Sequence, residues 1–266
     1  MATKTKTRGK AVAKTSRKST ALAGSVDDFA KLASAGMETV DQTDIIIPRL
    51  GILQKLSPQL QKRDPEFIKG AEEGMFCDIG TGEVFPDEVV IVPCFYAKVY
   101  LEWAPRKSAL GLVKNHGTDG DILDECTPND KGKMILPNGN TVEETATYYC
   151  INVSAGNRRS FIPLSSSQLK ASRKWMGLLT AETLETSDGV EFTPPMFYRS
   201  WRATPVEHTN AEGDWMGWKF EPDMPITEID PSGRLKKLCI DYYQQAMKGI
   251  VQGDVSAVER TADLDM

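Results

Sequence analysis

The chain has 266 residues, 40% of them hydrophobic and 26% charged, with a net charge of −5; these proportions suit an ordinary globular protein with a real core. No apolar run reaches the ~20 residues a membrane helix needs, and the N-terminus lacks the apolar stretch of a secretory signal. The five cysteines (Cys77, Cys94, Cys126, Cys150 and Cys239) are odd in number, widely spread and nowhere form C-x-x-C, which argues against a disulfide framework or zinc ribbon and for reduced thiols in a cytoplasmic protein.

Charge is unevenly placed. Residues 1–26 hold Lys4, Lys6, Arg8, Lys10, Lys14, Arg17 and Lys18 and no acid, which is +7 and leaves −12 for the rest. An acidic body argues against duplex binding by bulk charge, while leaving room for a local basic groove. Residues 1–25 have almost no apolar bulk and are expected to be disordered. An electrostatic arm for nucleic acid and a solubilising tail are the leading readings of that segment; it also has the acid-free, Ser- and Arg-containing composition of a transit peptide but no clear amphipathic face.

Val26–Ala35 predicts a short helix with acids in its first turn, ended by Gly36. Ile45–Lys62, bracketed by Pro48 and Pro58, reads as a short strand followed by an irregular piece. From Gly74 the pattern becomes strand and turn, with Gly80-Thr81-Gly82 as a hairpin turn. Glu88–Trp103 is a long strand in which Pro93 marks an edge or a bulge. Beyond it Phe95, Ala97, Val99, Leu101 and Trp103 share one face, expected in the core, and Tyr96, Lys98, Tyr100 and Glu102 share the solvent face. Residues 104–133 read as a long loop with a short strand near Leu110–Val113.

Asn138-Gly139 is a strong hairpin signal leading into Ala146–Ser154, and Gly156-Asn157 turns the chain into Arg158–Leu164. Ser165–Ser167 offers a helix cap before Gln168–Leu179. That helix has an apolar stripe of Leu169, Met176 and Leu179 beside a basic face of Lys170, Arg173 and Lys174. Phe197–Ala203 and Asp214–Glu221 form a further hairpin across the loop HTNAEGD, and Arg234–Ile250 is an amphipathic helix before a weakly acidic tail. The inventory is mainly β with peripheral α. It predicts an OB-like antiparallel barrel or sandwich with two main helices and disordered termini. The expected division is a basic arm at 1–25, a β-rich nucleic-acid-binding domain at 26–232, and a C-terminal helix and acidic tail at 233–266.

Motifs for catalysis are lacking. There is no G-x-x-x-x-G-K-[ST], no G-x-G-x-x-G after a strand, no H-E-x-x-H and no G-x-S-x-G. His116 and His208 fall in segments that read as solvated loops. Asp119, Asp121, Asp124 and Glu125 form an acidic cluster whose spacing fits no EF-hand. The expectation is a protein that is not an enzyme and carries no cofactor and no metal.

What remains is a set of strands in which rings alternate with cations: FYAKVYLEW, YYCINVSAGNRRSF, FYRSWR and WMGWKF. Rings stack on bases and cations neutralise phosphates, the chemistry of sequence-independent single-strand binding. Tyr96, Lys98 and Tyr100 lie on one strand face. Arg158 and Arg159 follow a turn, where they could hold phosphates. Tyr198 shares a face with Arg202, and Arg199 shares the other with Trp201. Lys170, Arg173 and Lys174, beside Trp175, extend the groove.

The segments IPRLGILQKLSPQL (Ile47–Leu60), FIKGAEEGMFCDIGTGEVF (Phe67–Phe85), VIVPCFYAKVYLEWAPR (Val90–Arg106), LSSSQLKASRKWM (Leu164–Met176) and PPMFYRSWRATPVEHTNAEGDWMGWKF (Pro194–Phe220) together resemble a tailed-phage family of single-stranded DNA-binding proteins of the replication and recombination module. The resemblance spans residues 45–220. It implies an OB-like barrel that coats exposed strands, with Tyr96, Lys98, Tyr100, Trp103, Arg106, Lys174, Trp175, Tyr198 and Arg202 on its binding face. The expected partners are single-stranded DNA and phage or host replication and recombination proteins, with no membrane, and homo-oligomerisation stays open. The competing expectation is a protein-interaction or virion-associated structural protein whose aromatic strands form an oligomer interface.

Overall fold

A computed structural model describes residues 29, 31, 32, 35, 36, 38, 39, 47–105, 108, 110–211 and 213–249. The chain divides into two units, residues 1–44 and residues 45–266. In the first, Phe29 is helical, and the Leu32 and Ala35 N–H groups donate to carbonyls three residues back at 3.0 and 2.9 Å. These residues fall within the expected 26–35 helix. The basic arm 1–25, the tail beyond residue 249 and Arg106 lie outside the described residues.

The second unit is mainly β. Its first strands are β1 (Leu50–Ile52), β2 (Phe76–Asp78), β3 (Glu83–Phe85), β4 (Val89–Trp103), β5 (Leu112–Asn115), β6 (Thr127–Pro128) and β7 (Met134–Ile135). They are followed by β8 (Thr141–Asn152), β9 (Arg158–Ser165), helix α1 (Leu169–Ala181), β10 (Leu184–Glu185), β11 (Glu191–Phe192), β12 (Arg199–Asn210) and β13 (Gly213–Pro225). A one-turn helix α2 (Ile226–Ile229) and helix α3 (Arg234–Met247) complete it. β1, β2 and β3 form a small antiparallel sheet, and β10 pairs with β11 alone.

The main sheet runs β13-β12-β4-β8-β7-β6, with β5 also on β4 and β9 also on β8. Its frame is the long β4–β8 pair. One flank of β4 changes partner along its length, from β12 at Val89–Ile91 to β5 at Leu101–Trp103. The register slips between Pro93 and Phe95, so Cys94 is the extra residue of a bulge, at the place where Pro93 disturbs the ladder. Long strands with a bulge twist strongly, and the sheet curls into an antiparallel half-barrel. Turn chemistry holds where it was expected. Gly82 at φ +71° closes the β2–β3 hairpin and Gly139 at φ +85° closes β7–β8, a backbone region that glycine enters without steric cost.

Both faces of this sheet are covered, which alternation alone does not foretell. On one face Ile91, Tyr148, Ile162, Trp201, Trp218 and Phe220 meet α1 (Trp175, Leu179) and the small sheet (Leu50, Phe76). On the other, Val92, Tyr149, Ile151 and Phe161 meet Leu235, Cys239, Tyr242 and Ala246 of α3. Those four recur at helical spacing, so α3 lays an apolar stripe across β4 and β8. Tyr242 anchors it by donating to the Ser160 carbonyl at 3.1 Å, and Asp230 accepts the Leu235 N–H at 2.7 Å ahead of its first turn.

Several expectations shift in detail. The serines before α1 form a 3-10 turn (Ser166–Gln168) and give it no side-chain cap. The hairpin over 197–221 is longer than its pattern suggested. Much of HTNAEGD is strand, paired in register out to Asn210↔Gly213, so His208 is a strand residue. The segment expected as a separate C-terminal element contributes α3 to the second core of the same unit.

Candidate nucleic-acid interface

The predicted site residues divide sharply between interior and surface. Trp175 is fully buried, its ring 3.9 Å from Phe220 and 4.4 Å from Tyr148 in stacked geometry, with Trp201 packed edge-on at 6.0 Å. Trp201 is likewise buried, and Trp103 packs with Val99 and Leu101. The long loop folds back over the expected solvent face of β4, so Tyr100 is buried against Leu136 and Val142. These four rings are core and present no stacking platform. The expectation of exposure failed because it assumed one wet face, whereas α1, the small sheet and the segment through Ile122 and Leu136 cover the face that carries Tyr100 and Trp201. Trp175 belongs to α1 itself, and Trp103 lies on the opposite face of β4 with Val99 and Leu101.

Four of the predicted arginines are held by protein groups. Arg158 donates to Asp78 at 3.0 Å and to Glu83 at 2.9 Å. Asp78 is wholly buried, and the hydrogen bond to it, with that to Glu83, raises the Arg158 pKa. Arg202 pairs with Asp223 at 3.1 Å and Glu88 at 3.5 Å. Arg199 pairs with Glu182 at 2.9 Å and lies 5.9 Å over the half-buried Tyr198 ring. Arg159 sits 5.3 Å over Tyr242. These residues pin β3, β9, β12 and α3 in place.

A smaller group stays available. α1 buries Ser172, Trp175 and Leu179, which leaves Lys170, Arg173 and Lys174 on its outer face. All three are exposed and make no ion pair or hydrogen bond among the described residues. α1 has no acid in its own sequence. Beside it the half-buried Tyr96 leans on Tyr148, ring centroids 5.1 Å apart. Burial pushes the Tyr96 phenol up, while the charges of Lys98 and Arg173 pull it back. Lys98 reaches Glu144 at 3.4 Å with 45% of its side chain exposed, an ion pair weak enough to be exchanged. The structure therefore gathers Tyr96, Lys98, Lys170, Arg173 and Lys174 into one cationic surface flanked by a ring.

Two features went unrecognised in the sequence. His208 and Trp215 stack on the outer face of the β12–β13 ribbon, ring centroids 5.4 Å apart. The alternation in DWMGWKF separates Trp215 from Trp218 and Phe220, but reading His208 as loop hid the pair. The second is a cavity of about 550 Å³ beneath the long loop, lined by Glu102, His116, Asp119, Asp121 and Glu125 among others. Glu102 is its hub. It accepts from Asn140 at 2.5 Å and from Asn138 at 3.3 Å, and shares a 2.9 Å hydrogen bond with His116. The Asn140 hydrogen bond is the largest influence holding its carboxyl below the usual range, with His116 and Asn138 assisting. Asp119 pushes the Asp121 carboxyl up. Among the described residues no group of three or more His, Cys, Asp or Glu side chains is placed to hold a metal ion, and no helix is long and apolar enough to cross a membrane.

A family model described as Pam3 phage gp34-like protein matches residues 16–248, and the chain belongs to that family of phage proteins. No curated protein and no solved structure matches it.

Proposed function

We propose that this phage protein is a non-enzymatic, largely sequence-independent single-stranded DNA-binding protein of phage replication or recombination, working in the host cytoplasm beside phage or host replication proteins. The observation that carries the proposal is the outer face of α1. Three exposed cations beside Tyr96 have no partner among the described residues, in a chain whose residues beyond 26 sum to −12. An acidic protein has partners at hand for its cations, and Arg158, Arg199 and Arg202 each have one. A stripe left without acids is built for an external anion. Its spacing along a helix suits successive phosphates of a flexible backbone, each phosphate it neutralises releasing counterions. Because the large rings are core, affinity in this account comes first from phosphates, with Tyr96 adding one stacking surface.

The competing idea, an oligomer interface built from the aromatic strands, has less material, since Tyr100, Trp103, Tyr148, Trp201, Trp218 and Phe220 are buried within the protomer and Tyr96, Tyr198 and Trp215 are half-buried. The test is fluorescence anisotropy of labelled dT20 titrated with the full chain at low salt. Binding that weakens as salt rises supports the proposal, and no binding at low salt overturns it.

A further inference from the structure

We infer that the strand-binding track does not end on α1 but continues round the outer edge of β13 to the stacked His208–Trp215 pair, which takes an unpaired nucleobase. The inference rests on the single-strand reading above and names a second locus for it. The first observation is the ribbon itself. β12 pairs with β4 only at Trp201–Ala203, while its register with β13 runs on to Asn210↔Gly213. The seven residues beyond Ala203 thus make an arm of about 20 Å that leaves the main sheet.

The second observation is how the arm divides its rings. Trp218 and Phe220 face the core, where Trp218 lies 5.0 Å from Phe76. Trp215, Gly217 and Lys219 face the opposite way, across from His208, Val206 and Thr204. His208 is exposed and Trp215 half-buried, neither belongs to a core cluster, and neither side chain has a hydrogen bond or ion pair among the described residues. Gly217 makes room for them, since a Cβ there would stand 2.5 Å from the His208 ring. What results is a flat π surface held open to solvent, the element that α1 lacks.

The third observation joins the two places. The same Cβ position on Gly217 lies 3.4 Å from Gln168 Oε1. Gln168 straps the outer edge of β13, donating to the Met216 carbonyl at 3.2 Å and accepting the Trp218 N–H at 3.4 Å. Two residues on, Lys170 opens the cationic stripe. The buried Gln168 thus ties the strand that carries the ring pair to the start of the helix that carries Lys170, Arg173 and Lys174. Lys219 lies on the ring-pair side, in an exposed 2.9 Å pair with Glu221.

The experiment compares dT20 with a fully abasic strand of equal length, using wild type, Trp215→Ala, Trp215→Phe, His208→Ala and the triple variant K170A/R173A/K174A. Loss of one stacked base is expected to weaken dT20 binding about tenfold for Trp215→Ala and less for His208→Ala. Trp215→Phe keeps most of the affinity, and the abasic strand, which offers phosphates alone, binds wild type and Trp215→Ala equally. Ultraviolet crosslinking of dT20 to wild type should label the peptide that carries Trp215. If Trp215→Ala binds dT20 as wild type does while the triple variant fails, the inference is overturned and the single-strand reading stands. Equal losses on both strands, or crosslinks only to α1, also overturn it. Absence of wild-type binding removes both.

Discussion

The two faces of α1 make an instructive contrast. The inner face inserts Trp175 into a stack with Phe220 and Tyr148, shut off from solvent. The outer face, one residue away, carries Arg173 and Lys174 with no partner among the described residues. In the sequence the two kinds of residue are interleaved and look like one aromatic-cationic surface. In the fold they are sorted, because an indole gains roughly 3 kcal/mol from burial whereas an ammonium or guanidinium loses far more without a partner. One half of the segment SRKWM thus serves stability and the other, on the proposed function, binding, and the two roles separate by experiment.

The largest expected effect lies on the inner face. Trp175→Ala empties the centre of the aromatic stack and should cost about 4 kcal/mol of stability, read by urea unfolding. If that variant unfolds like wild type, the stack is not the core described. The outer face should behave in the opposite way. The triple variant K170A/R173A/K174A is expected to keep wild-type stability while weakening dT20 binding by about thirtyfold, read by anisotropy. A stability loss comparable to that of Trp175→Ala would show that the stripe is structural.

Arg158 tests the same sorting from another side, as a cation spent on the fold. Arg158→Ala strands the buried Asp78 carboxylate. It should destabilise by about 2 kcal/mol, below the ~3–5 kcal/mol of a fully buried pair because the Arg158 side chain is 37% exposed. Its effect on strand affinity should be small once folding is accounted for. A selective loss of binding would move Arg158 to the interface.

A smaller effect follows from Glu102. Hydrogen bonds from Asn140, His116 and Asn138 hold its folded pKa below the ordinary 4.5. The anion's contribution is therefore complete above that value and fades as pH falls through the lowered folded value. Acid should loosen residues 104–140 before the β4–β8 frame, read by hydrogen exchange, and Glu102→Gln should remove most of that pH dependence. Loss of protection in the frame at the same pH would contradict the hub role.

Local signals carried much of the fold. The Asn138-Gly139 and Gly80–Gly82 turns, the bulge at Pro93, the 3.6-residue stripes of α1 and α3 and the alternation along β4 can all be read from neighbouring residues. What could not be read was which face each element would lose to a distant partner. Tyr100 looks solvent-facing on β4 until the chain 22 to 36 residues later folds over it through Ile122 and Leu136. Trp201 and Arg199 looked like a ring-and-cation pair until α1 and Glu182 claimed them separately. The cationic stripe was legible because helical spacing is local. The His208–Trp215 pair was not, because it needs the register of two strands meeting across a turn that the residue pattern made look longer.

The central proposal is that single strands are held chiefly by the cations on the outer face of α1 and not by the buried rings Tyr100, Trp103, Trp175 and Trp201. Its most direct test is the salt dependence of dT20 binding for wild type and K170A/R173A/K174A. The account predicts that the slope of log affinity against log salt falls by about 2 in the variant, at roughly 0.7 for each phosphate no longer neutralised. An unchanged slope in a variant that remains folded would contradict it.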